Sequence, residues 1–204
     1  MLALLMGGGL VLFGVGTGQS GGGLLNAIAP GSGGAQSQAV SQQETAALKQ
    51  IKLNPNNAQG WGNLLRARWT TAVTGSGSSS NTGFTAAGRK ELTRVIQAWD
   101  RYVQLTPSPD PDLATLAARA DVALGNYSAA ASAWEAEAAA TSASPKGFEC
   151  LAVTSYAAGD TRKGELAATK ALALLPKAQQ ATAKLTLTQA KGSTTVAKNV
   201  AAQC

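Results

Sequence analysis

Between Asp112 and Leu124 the small and apolar residues Leu113, Leu116, Ala117, Ala120 and Leu124 recur every three or four positions, the spacing that gathers side chains on one side of a helix. From Ser128 to Ala140, Ala130, Ala133, Trp134 and Ala138 do the same. Gly125-Asn126 separates the two stretches, and glycine permits a sharp turn there, so the pair predicts one helical hairpin. The pattern returns 34 positions later: Gly125-Asn126-Tyr127 as Gly159-Asp160-Thr161, Ala117-Ala118 as Leu151-Ala152, Asp121 as Ser155, Ala130 as Gly164 and Trp134 as Ala168. Prolines mark the ends of helical stretches at Asn54-Pro55, Leu105-Thr106-Pro107 and Leu175-Pro176, because proline lacks the donor a helix interior needs. Before the first stop, Glu44 to Leu53 reads as the second helix of a degenerate leading unit. After the last, Lys177 to Lys191 predicts one more helix, with Ala181, Leu185 and Thr188 on one side, serving as a solvating cap for the stack.

This pattern resembles the tetratricopeptide repeat (TPR), whose signature includes an early Trp, Leu-Gly, Tyr, a middle Ala, an aromatic and a late Pro. In a first unit Trp61 stands at the early Trp, Leu64 and Leu65 at the Leu-Gly pair, Trp99 at the aromatic, Tyr102 at the late Ala and Pro107 at the late Pro. In a third, Phe148, Leu151, Ala152, Gly159, Ala168, Ala171 and Pro176 fill the matching places, while the middle unit lacks both the early Trp and the late Pro. The resemblance implies an all-α, TPR-like right-handed superhelix of antiparallel helix pairs over residues 44–191. One stretch departs from it: Trp61 and Val95 lie 34 positions apart where the repeat has about 16. The surplus is Gly/Ser-rich, GSGSSSNTG from Gly75 to Gly83, too polar and flexible to pack, and predicts a mobile insertion at about 74–86.

No charged side chain occurs in residues 1–43. An apolar run opens at Met1–Val15, and Ala27-Ile28-Ala29 gives the small-residue pattern of a signal cleavage site, so residues 1–29 read as an apolar anchor or signal-like segment. A Gly/Ser/Gln linker, 30–43, follows, and 192–204 reads as a C-terminal tail. No second long apolar run appears, which argues against a polytopic membrane protein. The expectation is a bacterial protein attached to the membrane by its N-terminus with the repeats extracytoplasmic. A secreted or cytoplasmic chaperone-like adaptor is the alternative.

Candidate chemistry is sparse. Histidine is absent, which removes the commonest general base and every His-ligated zinc site. Cys150 and Cys204 form no CxxC pair; Cys150 falls in a helical pattern and is expected as a small buried thiol, not bonded to Cys204. The eleven acidic residues are scattered, and Gly7-Gly8-Gly9 and Gly14-Val15-Gly16 lack the Lys-Ser/Thr of a phosphate loop. The reading is therefore no enzyme, no cofactor, no metal and no small-molecule substrate. A net charge of +6 suits an acidic partner or anionic lipid, and Lys177, Lys184 and Lys191 would form one basic stripe. Nucleic acid is the weaker alternative, since the basic residues are not interleaved with aromatics.

In the TPR resemblance the first helix of each unit lines a concave groove for a protein or peptide. Position by position this gives three rows: Arg66, Arg119 and Val153; Trp69, Val122 and Tyr156; and Gln59, Asp112 and Lys146 near the helix starts. A mildly basic groove with aromatic contact points follows, suited to an acidic or amphipathic peptide.

Overall fold

The computed structural model describes residues 33–74, 77–79 and 83–204. The chain divides into two compact units, Met1–Ala39 and Val40–Cys204. Of the first, only the opening turns of helix α1 (Gly33–Leu53) are described, so the expected anchor or signal-like segment at 1–29 lies outside the described residues. No helix among the described residues is long and apolar enough to cross a membrane. Helix α1 begins inside the stretch expected as a linker, where Ala35, Gln36, Gln38 and Ala39 raise no barrier to helix formation.

The second unit is built from helical hairpins. Helices α2 (Ala58–Val73) and α3 (Ala86–Leu105) form the first, joined through a two-stranded antiparallel ribbon, β1 (Ser78–Ser79) with β2 (Gly83–Phe84). Helices α4 (Pro111–Leu124) and α5 (Tyr127–Ala140) form the second, α6 (Pro145–Ala158) and α7 (Thr161–Leu174) the third, and each hairpin packs on the next. The 34-residue period is thus literal: α4 and α6 start at Pro111 and Pro145, α5 and α7 at Tyr127 and Thr161.

Local chemistry fixes these boundaries. Asp110 and Ser144 cap α4 and α6 by accepting from the N–H groups of the first turn, and Pro111 and Pro145 occupy first-turn positions where no donor is missed. At the other ends Gly125 and Gly159 adopt φ +84° and +86°, a left-handed cap a side chain would resist, and donate to the carbonyls three and four residues back.

The core is made of small residues with a few large ones between them. Alanines of α4, α5 and α6 are buried beside Leu65, Leu92, Val95, Leu113, Trp99 and Trp134, so neighbouring helices approach closely. Tyr102 packs on Trp99 and its hydroxyl accepts from the Asp110 N–H at 3.0 Å, tying the end of the first hairpin to the start of the second. Arg68 on α2 bridges Glu44 of α1 (2.7 Å) and Glu91 of α3 (2.8 Å), all three side chains being mostly buried. Arg68 thereby ties α1 to the first hairpin.

Two stretches differ from expectation. Gly77, inside the insertion expected not to pack, sits against the α2 carbonyls and against Gly88 so closely that a Cβ on Gly88 would lie 2.0 Å from the Gly77 oxygen; bare glycine backbones pack where side chains could not. Residues 75–76 and 80–82 lie outside the described residues. Beyond α8 (Lys177–Gly192), the stretch expected as a tail forms a further helix, α9 (Thr194–Ala201), capped by the Ser193 hydroxyl oxygen accepting from the Val196 N–H. On α8 the buried residues are Leu187 and Ala190; Ala181, Leu185 and Thr188 face solvent.

Candidate protein-binding surface

The first helices of the hairpins, α2, α4 and α6, carry the three predicted rows, but the last two helices of the chain cover part of them. Helix α9 lies against α6, and α8 packs on both α6 and α7. A disulfide joins Cys150, in the middle of α6, to Cys204, three residues beyond α9, with Cα atoms 5.7 Å apart. This corrects the expectation of an unpaired Cys150: the fold of α8 and α9 returns the chain to α6, which the sequence separation of 54 residues conceals.

Arg119 reaches the same place from α4. Its Nε and one terminal nitrogen donate to the Cys204 carbonyl oxygen at 2.9 and 2.6 Å. Nearby, the Lys198 ammonium of α9 lies 5.3 Å from the centre of the Tyr127 ring. In the same row Arg66 is exposed and paired with Asp110 at 2.9 Å, whereas Val153 is buried toward α8 and α9.

The second row splits. Trp69 and Val122, both half-buried, line a cleft of about 550 Å³ together with Phe84, Arg89, Arg119 and Tyr127, closed at one end by the residues from Ala201 to Cys204. Tyr156 does not join them. It is buried, and its ring abuts Gly164 of α7 closely enough to leave no room for a Cβ there. Burial raises its hydroxyl pKa, with the Glu165 carboxylate adding to the effect. In the third row Gln59 and Asp112 stand exposed at the starts of α2 and α4, while Lys146 borders a smaller pocket of about 200 Å³ with Glu149, Leu187, Val200 and Cys204.

The basic stripe of α8 is partly neutralised. Lys191 is ion-paired with Glu165 of α7, and that hydrogen bond raises its pKa. Lys177 and Lys184 face solvent.

Sequence reasoning therefore missed Phe84, Arg89, Tyr127 and the whole of α9. The available signal for α9 was Val196, Ala197, Val200 and Ala201, an apolar edge at helical spacing, and a cysteine on each side of the fold to be joined. No group of three or more His, Cys, Asp or Glu able to hold a metal occurs among the described residues.

Hairpins of about 14 residues per helix, repeated at 34 and stacked through small residues, define a TPR-like helical repeat, a class whose stacked first helices present surfaces to other proteins. Among solved structures the chain is similar to one titled "Crystal structure of MamA", with a TM-score of 0.55 over 85% of this chain and 91% of that one, at 14% identity. That likeness is one of fold. No protein-family model matches the chain, and no curated protein matches it.

Proposed function

We propose that the chain is a protein–protein interaction scaffold in the form of a right-handed superhelix, recruiting a partner at the bacterial cell envelope through the part of its groove that α9 leaves open. The observation that carries this reading is the open row on α2 and α4. Gln59, Arg66 and Asp112 are exposed toward the starts of these helices, and further along them Trp69 and Val122 line a cleft with Phe84, Tyr127 and Arg89 in its wall. An extended or helical segment with an apolar side chain for the cleft and a carboxylate for Arg89 fits this surface.

The disulfide supports the envelope setting, because such bonds persist in oxidising compartments and are rare where thiols are kept reduced. The uncharged, apolar start of the chain supports attachment to the membrane. The disulfide suits a secreted, chaperone-like adaptor equally; sedimentation with membranes after alkaline extraction separates that reading from the anchored one.

The test of the scaffold is capture by the detergent-solubilised full chain, run beside Trp69→Ser/Arg89→Glu, with circular dichroism confirming that both are folded. A protein held by the first and lost by the second supports the open row as the binding surface. Equal capture by both removes it.

A further inference from the structure

The covered part of the groove carries a second reading, which rests on the chain being a protein-binding scaffold. Helix α9 lies on α6 as a docked peptide would. It is eight residues long, begins where Ser193 interrupts the helix after α8, and turns Val196, Ala197, Val200 and Ala201 inward. Its outer side carries Lys198 and Asn199, both exposed. Beyond its far end Arg119 donates from two nitrogens to the single main-chain oxygen of Cys204. The inward residues are small, so the area that α9 buries without the disulfide is modest, and a helix of two turns has little stability of its own. Besides its packing on α6 and α8 and the Arg119 hydrogen bonds, the Cys150–Cys204 bond ties it down.

We propose that α9 is a built-in ligand of the groove surface on α6, that the Cys150–Cys204 disulfide is its redox latch, and that opening the latch frees that surface for a partner helix of the same chemistry. Such a helix carries small apolar residues at positions i, i+1, i+4 and i+5, as α9 does at 196, 197, 200 and 201, with an oxygen acceptor for Arg119. The reductant is a dithiol. Its thiolate attacks the sulfur of Cys204, a residue 9% exposed that lines two surface clefts, while Cys150 is fully buried and departs as the thiolate. The second thiol of the reductant then displaces Cys204. Two electrons and two protons pass to the protein, leaving two cysteine thiols, and the reductant leaves as its own disulfide.

Two measurements on the full chain in detergent test this. In the first, hydrogen exchange is followed with and without dithiothreitol; exchange in 194–201 is expected to speed by roughly tenfold or more on reduction while α4 to α7 keep their protection. Cys204→Ser should show the fast exchange without reductant and no further response to it. Unchanged protection of α9 on reduction would overturn the latch, and so would loss of protection across all hairpins together, which would make the disulfide a general staple.

In the second, a peptide of residues 193–204, activated at its cysteine as the thionitrobenzoate mixed disulfide, is offered to Cys204→Ser. The Cys150 thiolate attacks the peptide sulfur and releases the coloured thionitrobenzoate. Because Cys150 is covered while α9 is seated, capture reports an open groove, and the native peptide is expected to react about tenfold faster than a scrambled one with the same cysteine position. Equal rates would show that the groove recognises nothing in α9. Neither experiment involves the row at Trp69 and Arg89, so each reading can fail without the other.

Discussion

Asp121 offers the sharpest quantitative test of the fold. Its side chain is buried at the end of α4, with the Asn126 side-chain amide donating to one carboxylate oxygen at 3.1 Å. Burial pushes its pKa from the ordinary 3.8 up to about 6; the Asn126 hydrogen bond works against this, and the neighbouring Asp100 charge adds to it. The folded state therefore holds the proton more tightly than the unfolded chain does. Stability is highest below the unfolded pKa, falls as pH rises from about 4 to about 6, and levels off above.

At 1.36 kcal/mol per pH unit the full rise corresponds to about 3 kcal/mol. Solvent beside the exposed Gly125 and Asn126 screens the helix end and reduces this to about 1–2 kcal/mol. Asp121→Asn keeps an acceptor for Asn126 and cannot ionise. Urea denaturation followed by circular dichroism, at pH values from 4 to 7.5, should show the variant more stable by about 1–2 kcal/mol at pH 7.5 and equal to the parent near pH 4. A difference that stays constant with pH, or a variant less stable at pH 7.5, would refute the reasoning.

Gly164→Val places its Cβ within 2.4 Å of the Tyr156 ring and should lower stability by about 1–3 kcal/mol through overpacking, read as a drop in Tm, with Gly164→Ala falling between the variant and the parent. Arg68→Ala leaves Glu44 mostly buried without a cation, while Glu91 keeps Arg94; we expect a loss of about 1–2 kcal/mol in urea denaturation and faster hydrogen exchange in α1, a smaller effect than removal of a fully buried partner.

The hairpins were legible because their determinants are local. Leu113, Ala117 and Ala120 repeat on one face, Gly125 and Gly159 stop two helices by the same left-handed cap, and Asp110 and Ser144 start two by the same cap. The unit around α2 and α3 was legible too, since Trp61, Leu65, Trp99 and Tyr102 are large and regularly placed. What escaped depends on distant pairings. Nothing near Cys150 announces Cys204, and nothing in the row Arg66–Arg119–Val153 shows that its second member grips the Cys204 carbonyl while its third is covered. Tyr156 was misplaced for a related reason: its position in the row is right, but Gly164 opens a slot on the neighbouring helix into which the ring packs. The ribbon at β1 and β2 was hidden by composition, because Gly and Ser signal flexibility until their backbones meet others at close range.

In a stack where each hairpin touches only its neighbours, melting can begin at either end and travel inward one unit at a time. The Cys150–Cys204 bond makes the two ends unequal. It closes a covalent loop from the middle of α6 through α7 and α8 to the residues after α9, so the cap stays tethered to the last hairpin, while the opposite end is held by side-chain contacts such as the Arg68 bridges. The repeat array thereby acquires a direction: an end held by side chains alone at α1 and one held by a covalent bond at α9.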